Sequence, residues 1–509
     1  MPSEKNKKIA KNTLMLYFRM LLIMAVSLYT VRVVLRTLGV VDYGIYNVVG
    51  GIVIMFSFLS STMTTATQRF FAFELGRNDF IQLKRTFSLS VISYAVISII
   101  ILLLAETFGL WFLNTKLVIP IERIGAANWI YQLSIFSFIV TILTVPYDAA
   151  IIAHENMNIY AYVSIVEALM RLIIVFVLLF FSFDKLKLYA CLTFATTCVI
   201  TFIYRTICKR KYEECHFKFY WNKELFKTII GFSGWNLFGT IAWIMNNQGI
   251  NILLNMFFGP AINAARAIAY QVNTAVNQFV TNYSTAFRPQ ITKYYAANEQ
   301  IQMMNLIFQS SKFSFFLLLV LSMPVLLETN FILTLWLKSV PEYVVLFSRL
   351  VIISALVNSL SNPLITAALA TGKIKQYQLV VGSVLLLNLP ISYLLLKIGF
   401  PPQSTMYMAI IFMILLLGIN LWMLKKMIKL SIYDYSKKVL LIVIVVCLAA
   451  YILPLFLMYL QKESFIRFLI VGSTGLITSL VTIYFLGLSV SEQLFFRQII
   501  RNIITKKII

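Results

Sequence analysis

Charge is sparse in this 509-residue chain and acid sparser still: Asp, Glu, Lys and Arg make up 12% of it, with 19 acidic residues against 43 basic ones. Hydrophobic residues reach 60%, well above the share in soluble globular proteins. No polar stretch between apolar windows exceeds about twenty residues, far below the ~100 of an independent domain, which excludes a soluble ATPase or glycosyltransferase domain. No GxxxxGK[ST] motif occurs, so the chain does not hydrolyse ATP by a P-loop. The only histidines, His154 and His216, lack a convincing set of partners. Outer loops are too short for the paired carboxylates that a membrane glycosyltransferase, polymerase or ligase uses. The reading is a protein that is not an enzyme and takes no cofactor. Five cysteines, Cys191, Cys198, Cys208, Cys215 and Cys447, show no CxxC spacing and fall in predicted spans or on the cytoplasmic side, so disulfides are not expected. Cys208, Cys215 and His216 lack a fourth ligand and fit no zinc pattern.

What is present is hydrocarbon-compatible helix. Crossing ~30 Å takes ~20 mostly apolar residues, and about fourteen such windows begin near Thr13, Gly44, Thr86, Ala126, Ile159, Leu188, Thr228, Ala264, Leu306, Tyr343, Gln376, Thr405, Val439 and Phe465. The expected fold class is all-α, a polytopic membrane protein of about fourteen transmembrane helices. The net charge of +24 does not point to nucleic acid, because the basic residues favour the tails and alternate connections, as the positive-inside rule expects. The clusters at residues 5–11, 69–85, 205–227, 425–438 and 497–507 share a side, which puts both termini in the cytoplasm and gives them anionic membrane lipids as neighbours. Lys5, Lys7, Lys8 and Lys11 imitate a signal peptide, but the apolar segment after them has the length of a span and no small-residue cleavage pattern precedes Arg32 and Arg36. The tail from Ser491, with Arg497, Arg501, Lys506 and Lys507 among apolar residues, is expected to lie as a basic amphipathic helix on the cytoplasmic leaflet.

The chain halves resemble each other. VPYDAAIIAHENMNIY at 145–160 matches NPLITAALATGKIKQY at 362–377 with the proline and the final tyrosine in step. TLGVVDYGIYNVVGG from Thr37 parallels MFFGPAINAARAIAYQ from Met256, each read as a glycine-containing turn followed by a long helix. Equivalents lie six spans apart, an even number that returns the chain to the same side, so the halves are expected to be two parallel six-helix repeats. The expected division is an N-terminal lobe at 1–210, a second lobe at 211–430, and two further helices with the tail at 431–509. The cleft is expected between the lobes, with the last two helices as an appendage.

About a dozen Asn and Gln side chains crowd between Trp235 and Gln290 with almost no charge. An amide facing lipid without a partner costs several kcal/mol, so these amides face protein or water, and a neutral polar lining suits sugars. Helical spacing groups Arg266, Tyr270, Asn273, Asn277, Thr281 and Ser284 on one stripe, and Asn236, Thr240, Trp243, Asn247 and Asn251 on another. Tyr46, Gly50, Ser57, Ser61, Thr64 and Gln68 form the repeat counterpart of the first. For the Ser, Thr and Gly positions a cavity lining and close helix packing both fit; so many bulky amides fit the cavity better. Charges inside spans are functional-site candidates. Arg19 lies within the first span, and Arg32 and Arg36 lie four apart towards its outer end, where snorkelling also accounts for them. Glu167 and Arg171 are spaced for an i,i+4 pair near mid-bilayer, either structural or able to open to an anion or proton. Asp148, two residues after Pro146, could bind a cation or proton or cap a turn. Arg266 reads equally as an anion contact or a snorkelling side chain. The excess of buried Arg over buried acid points to an anionic ligand, because Arg binds phosphate bidentately.

At these residues the chain resembles the Wzx-type lipid-linked oligosaccharide flippases, the polysaccharide-biosynthesis branch of the multidrug/oligosaccharidyl-lipid/polysaccharide exporter superfamily. The signals are RTLGVVDYGIYNVVGG at 36–51, and FFGPAINAARAIAYQVN at 257–273 followed by FRPQITKYYA at 287–296. The resemblance implies a V-shaped bundle of two six-span lobes in the bacterial cytoplasmic membrane and alternating access. The implied substrate is an undecaprenyl-diphosphate-linked sugar for O-antigen, capsule or exopolysaccharide, and a polysaccharide polymerase or ligase is a candidate partner. It would also bring the diphosphate to cavity arginines. Arg36 and Arg266 sit in the matching motifs; Arg19, Arg32 and Arg171 rest on the residues alone. The competing reading is a cation-coupled multidrug exporter of the same superfamily. That function needs buried carboxylates, and the chain offers few: Asp148, Glu106, Glu167 and Glu328.

Overall fold

The computed structural model describes residues 4–54, 57–116, 120–181, 184–337, 340–494 and 497. Among them the fold is all helix: α1 (Glu4–Ile54), α2 (Ser57–Arg77), α3 (Phe80–Leu104), α4 (Leu110–Lys116), α5 (Ile124–Ala153), α6 (Met157–Phe180), α7 (Lys185–Lys211), α8 (Lys223–Phe258), α9 (Pro260–Ala296), α10 (Gln300–Leu327), α11 (Thr329–Leu337), α12 (Val344–Ala370), α13 (Lys375–Lys397), α14 (Ser404–Ile428), α15 (Ile432–Tyr435), α16 (Leu441–Leu460) and α17 (Phe465–Thr482). Helices satisfy every backbone polar group within the segment, which hydrocarbon demands. Among the described residues, eleven helical segments are long and apolar enough to cross a membrane. The remaining expected spans fall on α1, α2 and α9.

The repeat is written in the turns. Pro146 lies inside α5 and Pro363 inside α12, and the turns that follow hold Glu155 at φ 61° and Gly372 at φ 73°. The turns after α2 and α9 match too, with Asn78 at φ 57° and Asn298 at φ 59°. Both close as a Schellman motif. Asn78 N–H donates to Leu75 O and Asp79 N–H to Glu74 O, and Asn298 and Glu299 donate in the same pattern to Tyr295 and Tyr294. One expected element of the repeat is absent. α8 and α9 are separated at Gly259, φ 78°, with Pro260 opening α9, but α1 runs helical through the turn expected at Thr37. Gly39 has no proline after it, so nothing there removes the N–H that the next helical bond uses.

The chain forms two compact units, Lys11–Leu237 and Phe238–Ile509, the latter joined by Met1–Ala10. The first packs around Phe71, Phe87, Tyr147 and Ile151 towards one end and Ile130, Tyr131 and Ile135 towards the other. The second packs α9, α10, α12 and α14 around Phe287, Leu319, Leu364 and Leu424. Here α16 and α17, the two helices beyond the repeat, are fastened to α10. Lys312 pairs with Glu492 at 3.0 Å and Arg467 with Glu328 at 2.8 Å, anchors ~24 Å apart along α10. Between them the backbone of Gly475 lies against Met323, where even a Cβ would come within 3.2 Å of the sulfur. The amphipathic tail expected from Ser491 is described as helix through Leu494 and again at Arg497; its remainder lies outside the described residues.

Candidate functional site: the open face of α9

α9 contributes Val276, Val280, Ala286, Phe287 and Ile291 to the core of its unit. Among its described residues the exposed ones are Ala267, Gln271, Thr274, Ala275, Gln278, Thr281 and Arg288, with half-buried Thr285 filling the last interval. Their three- and four-residue intervals trace one stripe from Ala267 to Arg288, ~32 Å at 1.5 Å per residue. The stripe holds no large apolar side chain. α16 is the opposite case, exposing Leu441, Ile444, Leu448 and Ile452. Hydrocarbon accepts the second surface and rejects the first, because each unsatisfied amide would cost several kcal/mol. α9 is thus long enough to span but carries one face unsuited to hydrocarbon, and it falls outside the eleven segments that are long and apolar enough to cross a membrane.

The hydrogen bonding of this face is selective. Thr274, Thr281 and Thr285 donate their hydroxyls back to Tyr270 O, Asn277 O and Thr281 O at 2.8–3.1 Å, which leaves oxygen lone pairs outward. Among the described residues no hydrogen bond ties the Gln271 or Gln278 amide. The open face thus offers both acceptors and donors without charge until Arg288.

This is not the stripe that the sequence spacing selects. Of those residues only Thr281 is exposed; Arg266 and Ser284 are buried, and Tyr270, Asn273 and Asn277 are half-buried along the edge. The open face is rotated by about one residue, ~100° on a helix. Asn277 donates to Asn273 Oδ1 at 3.2 Å, so these two amides partly satisfy each other. Gln271, Gln278 and Arg288 were not singled out from sequence, although the spacing and the FRPQ segment carried the signal.

At the Gly259–Pro260 corner α8 meets α9, and Asn247, Asn251 and Arg266 come together. Arg266, 8% exposed, donates to Asn251 Oδ1 at 3.4 Å and to Asn247 O at 3.2 Å. Its guanidinium lies 4.4 Å from the Tyr270 ring centroid. Its Nε and the Asn263 Oδ1 are buried without a partner, while Asn263 donates to Asn251 O at 3.1 Å. Among the described residues no carboxylate pairs with Arg266. A buried cation held only by neutral acceptors is costly and is electrically suited to an anion. Asn247 spends its own amide on Trp243 O at 3.1 Å.

Other amides of α8 do what the packing alternative describes. Asn388 of α13 donates to Asn246 Oδ1 at 2.9 Å and accepts from Ser392 at 3.2 Å, all three buried. Gly249 lets Leu389 approach and Gly382 lets Phe238 approach. Asn236 donates to Thr62 O at 3.4 Å.

In the Lys11–Leu237 unit, Arg19 donates to the Tyr160 hydroxyl at 3.4 Å and lies 4.4 Å from that ring's centroid, with its Nε buried and unpartnered. Asp148 lies close enough to feel the Arg19 charge, and its Oδ1 is also buried without a partner. Arg171 and Glu167 make the i,i+4 pair at 2.7 Å on an exposed part of α6. Arg32 and Arg36 lie on α1, and their side chains are outside the described residues, as are those of Gly50, Ser57 and Ser61. Tyr46 meets Tyr189 edge to face, and Thr64 and Gln68 are half-buried. The turn regions at the α5–α6 end form a separate polar knot. His154 contacts Glu214 and stacks on Tyr212 at 4.3 Å, whose hydroxyl burial pushes up to about 12. Lys84, 2.9 Å from Glu213, holds that carboxyl below its usual range.

The profile of the polysaccharide biosynthesis protein family matches residues 9–295. No curated protein matches. Among solved structures, the chain is similar to a Vibrio cholerae MATE transporter, VcmN in the bent form, with 17% identity, a TM-score of 0.68, and coverage of 85% of this chain and 98% of that one. It is similar to the MATE transporter ClbM in complex with Rb+ at 13% identity and TM-score 0.70, covering 86% and 97%. An outward-facing multidrug resistance MATE family transporter of the MOP superfamily gives 12% identity and TM-score 0.71, covering 84% and 96%. At such identities what is shared is the fold.

Proposed function

This chain belongs to the polysaccharide biosynthesis protein family, whose profile spans more than half of it, and from that premise we propose that it moves an undecaprenyl-diphosphate-linked oligosaccharide across the membrane by alternating access. The observation that carries the reading is the open face of α9: a transmembrane helix presenting amides and threonines along ~32 Å, next to a buried arginine without a carboxylate. Uncharged donors and acceptors match sugar hydroxyls, and a guanidinium matches a diphosphate. Arg266 is the favoured diphosphate contact, with Asn247, Asn251, Asn273 and Asn277 at the edge of the path. In this reading the membrane is the bacterial cytoplasmic membrane, both termini are cytoplasmic, anionic lipids surround the basic ends, and a polysaccharide polymerase or ligase consumes the product. An ion gradient, the membrane potential or that consumption supplies the drive.

The test is purified protein in liposomes with a defined undecaprenyl-diphosphate-linked sugar, scored by access of an external glycosidase. Wild type is expected to move the lipid, and Arg266→Ala to slow it at least tenfold. No transport by folded wild type across a panel of such lipids would overturn the proposal. The cation-coupled drug exporter of the same superfamily is favoured by one observation, the orphan carboxylate oxygen of Asp148. Drug susceptibility unchanged on deletion would remove it.

A further inference from the structure

We propose that Arg288 is a second anion-binding station for the same diphosphate, at the end of the α9 face opposite Arg266; the proposal rests on the lipid-diphosphate reading above. The two arginines are 22 residues apart, ~33 Å along the helix, against a hydrocarbon core of ~30 Å. α9 therefore has a guanidinium near each membrane boundary, Arg288 on the open face and Arg266 buried beside it, with no charged residue between them in the sequence.

The surroundings of Arg288 set it apart from its neighbours. Ala286, Phe287, Pro289, Gln290, Ile291 and Thr292 are all buried, and Arg288 alone among them is exposed. It continues the interval pattern of Gln271, Thr274, Gln278, Thr281 and Thr285, so it opens onto the same hydrated stripe. Among the described residues no hydrogen bond or ion pair engages its guanidinium. An arginine needed only for headgroup contact would be expected among lipid-facing apolar residues, as snorkelling side chains are, rather than on a face of glutamines and threonines.

The two stations differ in a way that suits a passage with direction. Arg288 is exposed on the stripe with no partner on its guanidinium among the described residues, so a diphosphate reaching that end of α9 meets an unengaged fork. Arg266 is buried between Asn251 and the Tyr270 ring with its Nε unpartnered, so an anion reaching that end meets a donor already held in place. With the orientation that the positive-inside rule gives, Arg288 stands at the cytoplasmic end and Arg266 at the outer end. The neutral stretch between them holds no cation to trap the diphosphate midway, while its amides serve the sugar.

The experiment measures binding stoichiometry in phosphatidylcholine nanodiscs with farnesyl diphosphate as probe and farnesol as the control for the chain alone. Wild type is expected to bind two equivalents of the diphosphate, Arg288→Gln and Arg266→Gln one each, and the double variant none, with each variant eluting as a monodisperse folded protein. Arg288→Lys is expected to keep two equivalents with weaker binding, because an ammonium replaces the charge but not the fork. Wild-type binding whose stoichiometry and affinity do not change in Arg288→Gln would overturn this proposal and leave the lipid-diphosphate reading standing. No binding to wild type would sink both.

Discussion

Placing a lysine at Gln278 asks directly whether the α9 face is wet. Gln278 lies 12 residues from Arg266 and 10 from Arg288, so ~18 Å and ~15 Å from them along the helix, close to the bilayer midplane. A lysine at the centre of a lipid-facing helix costs about 2.5–3.5 kcal/mol, or roughly a hundredfold in the folded fraction at 1.4 kcal/mol per decade. At a hydrated position the same change should stay within about 0.5 kcal/mol, as surface substitutions do. The internal standard is Leu448, 66% exposed at the centre of α16 on an apolar face. Leu448→Lys should therefore lose most of its folded, membrane-inserted protein while Gln278→Lys keeps it. The assay is fluorescence-detected size exclusion of fluorescent-protein fusions from isolated membranes, followed by thermal challenge. Equal losses in the two variants would show that the α9 face meets lipid, and the functional reading would fall with it.

Two further substitutions test the packing. Lys312→Met leaves the Glu492 carboxylate buried without its cation, which should cost about 3–5 kcal/mol; thermal challenge should show most of that recovered in Lys312→Met with Glu492→Gln, and no recovery would mean that the pair does not anchor α17. Asn388→Leu strips the donor from Asn246 and the acceptor from Ser392 and should cost about 1–3 kcal/mol with transport per folded molecule unchanged, whereas a variant of normal stability would place those amides outside the packing.

Parts of the fold and site were legible residue by residue. The VPYD and NPLI segments announced a repeat because a proline inside a helix and a positive-φ residue after it are local demands, met by Pro146 with Glu155 and by Pro363 with Gly372. Arg266, Asn247 and Asn251 could be grouped because the chain turns sharply at Gly259, which brings the two helices back together. The turn expected at Thr37 misled, since a glycine permits a break without requiring one.

The sequence by itself determined that this is an all-helical membrane protein with doubled architecture and amides concentrated on α8 and α9, because composition, span length and repeat spacing are properties of the chain alone. Only the tertiary structure decided which amides are left open. A 3.6-residue period defines candidate stripes on a helix but not which one its neighbours cover. α10 and α12 pack against α9, and α13 engages α8 through Asn388. That packing buried Asn246, half-buried Asn273 and Asn277, and left Gln271, Gln278 and Arg288 open.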